Sequence, residues 1–381
     1  MATRGGSKVD VSGSRQGLEH LLQKVDVQLD GDRPWDPQVH DDRLYDRVLS
    51  EGSLALGEAY MDGWWDCRRL DQLFYRVLRA RLDQQIGWSW WMLWSIVKAF
   101  LLNRQSASRA YEVGEEHYDR GNDLFRHMLD DRMIYSCGYW RRANALDAAQ
   151  EAKLDLICRK LTLEPGTRVL DIGCGWGGFA EYAASKYGVE VVGVTISEEQ
   201  VSAARDRCAD LPVQIRLQDY RDVEGTFDRI VSIGMFEHVG HKNHRMYMET
   251  VRERLATDGL SMLHTIGSDA SHAVTDPWID KYIFPNGLLP SAQQITQAAE
   301  GLFVIEDWHN FGPDYDRTLM AWARNFEESW EVLSDRYSDR FFRMWRYYLY
   351  QCAGAFRARR NQLWQVVLAP QGVDGRYESV R

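Results

Sequence analysis

No C-x-x-C pair occurs in this chain. Its six cysteines, Cys67, Cys137, Cys158, Cys174, Cys208 and Cys352, are scattered. That excludes a zinc ribbon and fits reduced thiols in a cytosolic protein better than a disulfide framework. No closely spaced cysteine triple is present to hold an iron–sulfur cluster, so radical chemistry built on one is excluded. A basic excess is missing too. The formal net charge of −10 argues against nucleic acid as a partner and against broad attraction to an anionic membrane. The opening residues are polar and rich in Gly and Ser, so no signal peptide is visible and residues 1–16 are expected to be disordered. Internal repeats and long low-complexity segments are absent. What remains is the composition of a soluble globular protein, and 381 residues suffice for a large core and two domains.

The most informative stretch is Val169-Leu170-Asp171-Ile172-Gly173-Cys174-Gly175-Trp176-Gly177-Gly178. Val169, Leu170 and Ile172 suit a strand buried on both faces. The glycines allow a sharp turn and close approach of backbone to a ligand. A helix from about 179 to 187 follows and points its first N–H groups at that ligand. Gly173, Gly175 and Gly178 also satisfy G-x-G-x-x-G, which alone is a weak dinucleotide signal. Two features argue against NAD. Asp171 stands two residues before the first glycine, where a carboxylate repels a pyrophosphate. The next strand, ending at Thr195, lacks the acid that a ribose 2′-OH wants. Asp-x-Gly-x-Gly-x-Gly after a strand is similar to motif I of S-adenosylmethionine (SAM) methyltransferases.

Strands near 189–195, 213–218, 228–233 and 260–265, alternating with helices, predict an α/β doubly wound sheet with helices on both faces. Helical segments near 148–161, 291–300 and 317–360 complete it. A small helical domain over 17–103 precedes this catalytic domain of 113–381, and the polar stretch 104–112 reads as a linker. Within the first domain, Trp88, Trp90, Trp91 and Trp94 lie in an apolar run interrupted by Lys98, short for a membrane span. That run suits an interfacial helix or a packing contact. In an open α/β sheet the ligand lies beyond the carboxyl ends of the strands. Asp219 and Tyr220, after the third strand, are therefore candidates for an adenine, and Thr195, Ile196, Ser197 and Gln200 for the ribose or amino-acid end. Glu237 and His238 follow the fourth strand, and His264 and Ile266 end the fifth.

Several long motifs in one order extend this reading. They include Gly57-Glu58-Ala59-Tyr60-Met61-Asp62-Gly63-Trp64-Trp65, Tyr135-Ser136-Cys137, Gly234-Met235-Phe236-Glu237-His238-Val239-Gly240 and Cys352-Ala353-Gly354-Ala355-Phe356-Arg357. With them the chain, from about residue 46 to 367, resembles the cyclopropane-fatty-acyl-phospholipid synthases. The resemblance implies a Rossmann-like class I SAM methyltransferase. Such an enzyme adds a methylene from SAM across a cis double bond of a phospholipid acyl chain through a carbocation. It implies that the cation is deprotonated by bound bicarbonate, with Cys137, Glu237, His264, Ile266 and Tyr315 carried over as site positions. Tyr135, Ser136, Asp171, Gly173, Gly175 and Gly177 join the residues named above as cofactor contacts. Cys352 matches a position once assigned as an active cysteine, but a thiolate has no step to serve, and a residue lining the acyl pocket is the better reading. Tyr315, with Phe236, Tyr282 and Phe284, is expected to wall the cation. No metal is expected, because methyl transfer to an alkene needs no Lewis acid. A homodimer, peripheral at the cytoplasmic side of the inner membrane and meeting a bilayer with unsaturated chains, completes the expectation. A lipid C-methyltransferase giving a branched or methylene product shares every motif.

Overall fold

The computed structural model describes residues 11–82, 122–272 and 274–381. The tryptophan-rich run, the 104–112 linker and the motif Glu116-His117-Tyr118-Asp119 lie outside them.

The first region holds α1 (Val11–Gln23), α2 (Arg43–Glu51), α3 (Ser53–Met61) and α4 (Leu70–Arg79), with a short antiparallel pair, β1 (Gln38–Val39) and β2 (Trp65–Asp66). One expectation fails here. Helix α1 starts at Val11, inside the stretch expected to be disordered, and Leu18 and Leu22 bury one of its faces.

The second region runs through α5 (Asn122–Met128), α6 (Leu146–Lys160), β3 (Arg168–Ile172), α7 (Gly178–Tyr187), β4 (Glu190–Thr195), α8 (Glu198–Arg207), β5 (Val213–Leu217) and β6 (Phe227–Ile233). It continues with α9 (His244–Arg254), β7 (Leu255–Ser268), α10 (Pro277–Tyr282), α11 (Ala292–Ala299), β8 (Val304–Asn310), α12 (Pro313–Glu328), α13 (Trp330–Leu333), α14 (Asp339–Arg357) and β9 (Asn361–Ala369). The strands form one seven-stranded sheet in the order β5-β4-β3-β6-β7-β9-β8. The first five are parallel, as alternation with helices requires, while β9 pairs antiparallel with both β7 and β8. Sequence reading missed β8 and β9. Successive residues alternate between the two faces: Val169 packs on one side, Leu170 on the other, and both faces are covered. The chain enters at β3, winds out to β5, and returns to β6 on the other side of β3. The crevice at that reversal is where a ligand of such a sheet sits.

The two regions meet along α14. A Cβ on Gly354 would lie 2.7 Å from Phe74 Cβ and 2.9 Å from the Tyr75 nitrogen, so only glycine lets α14 reach α4. Likewise a Cβ on Gly57 would stand 2.3 Å from Trp278 Cδ1. Charged ties flank these contacts. Arg357 Nη1 reaches Asp71 Oδ2 at 2.7 Å, and Glu58 Oε1 accepts from Lys281 Nζ at 2.7 Å and from the Tyr282 hydroxyl at 2.9 Å. One apolar cluster runs through both regions, from Tyr45 and Trp65 to Tyr315 and Trp322.

Candidate active site

The backbone leaves β3 at Ile172 and turns through Gly173, Gly175 and Gly177, with φ of +81°, +54° and +81°. These left-handed angles strain a residue that carries a Cβ. The turn opens into a cavity of ≈ 220 Å³ at the reversal point. All the sequence candidates for cofactor contact line it except Gly177, which caps α7 against Ala204 and Cys208.

The loop after β4 is held by its own side chains. Thr195 Oγ1 donates to Gln200 Oε1 at 2.7 Å, and Ser197 Oγ caps α8 by accepting from the Gln200 N–H at 3.3 Å. Asp219 is already engaged. Its Oδ1 accepts from the Arg221 N–H at 3.0 Å and from Arg221 Nε at 2.8 Å, and its Oδ2 accepts from Arg221 Nη2, so a ligand could share only Oδ2. Asp171 is buried, and its Oδ2 has no hydrogen-bond partner among the described residues. Burial raises its carboxyl to about 7, against the pull of Lys153. An unsatisfied buried carboxylate beside a glycine cradle suits a compact cationic ligand.

The catalytic candidates do not line this cavity. They lie beside it, Cys137, Glu237, His264 and Tyr315 buried and Ile266 and Cys352 half-buried, with Tyr135-Ser136-Cys137 running from the cavity wall to them. Glu237 Oε1 accepts from the Ile266 N–H at 2.6 Å, while Oε2 has no hydrogen-bond partner among the described residues. Burial lifts this carboxyl to about 7, opposed by the Ile266 N–H. His264 Nδ1 lies 3.3 Å from Gln365 Nε2, and its Nε2 has no partner among the described residues. With the Gln365 amide in this orientation Nδ1 accepts and the His264 proton is assigned to Nε2; the flipped amide, whose Oε1 has no partner among the described residues, would place it on Nδ1. Burial, then Lys153, Lys160 and His309, push the imidazole well below its usual range. The ring is neutral. Cys137 Sγ donates to the Gly138 carbonyl at 3.1 Å. Tyr315 stacks on Phe356 with centroids 4.4 Å apart, and burial, then the neighbouring Cys137, Tyr135, Glu237 and Cys352, push its phenol well above the usual range.

Aromatic rings wall this cluster. Tyr135 packs on Trp322 at 5.2 Å, its hydroxyl meets that of Tyr348 at 2.8 Å, and Phe284 packs on Tyr348 at 5.8 Å. Two expected wall residues lie elsewhere. Phe236 stacks on His244 at 4.3 Å within the core beneath the sheet, because its side chain leaves the turn on the face opposite Glu237. Tyr282 faces Trp278 and Glu58 at the seam between the regions.

The model of the mycolic acid cyclopropane synthetase family matches residues 105–366. The cyclopropane-fatty-acyl-phospholipid synthase of Escherichia coli strain K12 is 57% identical over 354 residues, 93% of this chain and 92% of that protein. The chain belongs to the cyclopropane synthase family of SAM-dependent methyltransferases. Solved structures of that family align with the same architecture. The cyclopropane synthase MmaA2 from Mycobacterium tuberculosis superposes with a TM-score of 0.64 at 32% identity, covering 68% of this chain and 98% of that one. The mycolic acid cyclopropane synthase CmaA1, complexed with SAH and CTAB, gives the same score and identity over 68% and 97%.

In this cyclopropane synthase the cysteines are all free, and burial raises every thiol. Cys352, half-buried on α14, is pushed up to about 12. It is a thiol at neutral pH and lacks the electropositive surroundings of a nucleophilic cysteine. Sequence reasoning missed two residues of the synthase site. Thr318 Oγ1 accepts from the Gly138 N–H at 3.1 Å and from Trp140 Nε1 at 2.8 Å, fixing the loop that carries Cys137. Lys153 is fully buried on α6 and donates to Ser136 Oγ at 2.8 Å. A signal for Lys153 existed. It shares a helical face with Leu146, Ala149, Leu156 and Ile157, all of them buried.

Proposed function

We propose that this protein transfers a methylene group from SAM to the cis double bond of an unsaturated phospholipid acyl chain and closes a cyclopropane ring. The observation that carries the reading is the aromatic wall of Tyr135, Tyr315, Trp322, Tyr348 and Phe284 directly beside the glycine cavity. SAM supplies an electrophilic methyl group. The glycine turn, Asp171 and the β4 loop hold its nucleoside and amino-acid parts. An alkene offers no acidic proton, so the protein's contribution is to position two carbons and keep water from the cation. Ring faces favour that positive charge.

The proton that leaves needs an acceptor. Bicarbonate, when bound, supplies one. Two buried groups fit it: the His264 Nε2–H is an open donor for its negative oxygens, and Glu237 Oε2 is an open acceptor for its hydroxyl. The Ile266 N–H is committed to Glu237 and acts by orienting that carboxylate. Because the acyl chains come from a bilayer, the reaction belongs at the cytoplasmic membrane surface.

Incubation with SAM and vesicles of mixed unsaturated phospholipids tests the function. Lipids gain the mass of one CH₂, lose the olefin signal and acquire high-field ring protons in NMR. A mass gain without ring protons would instead establish a lipid C-methyltransferase.

Two further results are expected. Glu237 must be ionised to accept the bicarbonate hydroxyl, and its carboxyl is raised to about 7. At saturating bicarbonate, kcat/KM for lipid therefore falls about tenfold per pH unit below about 7, as a single essential base does. A flat profile to pH 5 removes Glu237 from this role. Separately, Gly173→Ala forces a Cβ to within 2.9 Å of Met235 Cβ at a φ of +81°. Alanine at Gly175, where the space is open, costs only its left-handed angle. Affinity for S-adenosylhomocysteine by calorimetry should fall roughly tenfold at 173, in line with a cost of about 1–2 kcal/mol, and less at 175.

A further inference from the structure

Lys153 is a buried charge that the chemistry above leaves unused. It lines the glycine cavity from α6, and its Nζ is anchored on Ser136 Oγ at 2.8 Å. An ammonium has three donors, so two remain after that bond. The charged and titratable groups facing it come from several elements. They are Asp130 from the loop after α5, Cys137 from the aromatic loop, Asp171 from β3 and His264 from β7. Asp130 is fixed independently by the N–H groups of Ile134 at 2.9 Å and Arg132 at 3.1 Å. Cys137 is a thiol and His264 is neutral. Around Asp171 the other titratable groups are Cys174 and Cys208, both protonated thiols.

Asp171 therefore stands buried, with one oxygen unsatisfied among the described residues. A carboxylate in such a place takes up a proton unless an opposite charge is near. Lys153 is the cation that opposes this. We propose that Lys153 is a cofactor-positioning residue: anchored on Ser136 in the wall of the same cavity, its ammonium favours the ionised form of Asp171, so that this carboxylate offers negative charge to the ammonium at the amino-acid end of SAM. The proposal rests on the reading of the cavity as the SAM site.

The test is calorimetric binding of S-adenosylhomocysteine to the full chain at pH 6.5, 7.5 and 8.5, with thermal unfolding measured alongside. Lys153→Met keeps the apolar stem and removes the charge. Asp171 then holds its proton to higher pH, and Kd relative to wild type rises about 10-fold to 100-fold at pH 7.5. The ratio shrinks toward one at pH 8.5, as Asp171 ionises in the variant and as Lys153, which burial lowers to about 8, loses its own charge in the wild type. Asp171→Asn weakens binding at every pH, and Lys153→Met added to it causes no further loss. A purely structural lysine would lower the melting temperature and give a ratio independent of pH. That outcome overturns the proposal, as do additive losses in the double variant. Should Lys153→Met fail to fold, Ser136→Ala removes the anchor together with any contact its hydroxyl makes to the cofactor; the part of the loss owed to the anchor recovers at alkaline pH, and a loss wholly independent of pH counts against the proposal. If wild type itself does not bind S-adenosylhomocysteine, the reading of the cavity fails, a result distinct from failure of the lysine argument.

Discussion

Replacing Glu237 with glutamine is expected to slow cyclopropane formation by about 10²–10⁴-fold, the range for loss of a positioned acid–base group, while affinity for S-adenosylhomocysteine barely changes. The substitution is nearly isosteric. Its amide oxygen can still accept from the Ile266 N–H, which Glu237 Oε1 now meets at 2.6 Å, so the turn after β6 keeps its shape. What disappears is the charge and the second acceptor. At the position of Oε2 an NH₂ would point a donor where the hydroxyl of the proposed bicarbonate would also need to donate. The cofactor cavity lies beside this cluster and does not include Glu237, which is why binding survives. Single-turnover measurements on unsaturated vesicles, paired with calorimetry, separate the two effects. Full activity in the glutamine variant would end the case for an anion held at this carboxylate.

Trp278→Ala is expected to destabilise the fold by about 3–5 kcal/mol, the range for truncating a fully buried large aromatic side chain. Trp278 has no exposed surface and packs on Tyr347 at 4.5 Å and Tyr282 at 5.6 Å. It also fills the space that Gly57 leaves open, so removing it loosens α3 against α10 and not merely one contact. Denaturant unfolding gives the size of the effect. A double-mutant cycle gives its cause: Gly57→Ala should be costly in the wild type, where the new Cβ meets the indole, and nearly free in the Trp278→Ala background. Additive losses would show that the indole and the glycine do not share one space.

What could be read from the residues alone was whatever is encoded locally. The strand into the glycine turn needs only ten neighbouring residues, and its positive φ angles lie where glycine stands. The five parallel strands followed from alternation with helices. The antiparallel strand β9 did not, because its partners are β7, nearly a hundred residues earlier, and β8, across three helices. Lys153 was passed over because lysine ordinarily marks a solvated helix face, and only the surroundings of α6 make that face interior. Phe236 was expected in the pocket wall, but in the 3-10 turn its ring points away from Glu237 and stacks on His244 instead. The two sets of residues that the sequence distinguished, cofactor contacts and catalytic candidates, occupy a cavity and its immediate neighbourhood.

The protonated state of the cysteines has a practical consequence. Cys67 and Cys208 are raised to about 11 and Cys352 to about 12, with Cys137, Cys158 and Cys174 raised as well. Alkylating probes react with thiolates, so the native chain is close to a silent background near neutral pH. A single cysteine introduced on the solvent side, at exposed Val332 for example, would take a fluorophore or spin label almost alone. Movement of α13 could then be followed without first stripping out the natural cysteines.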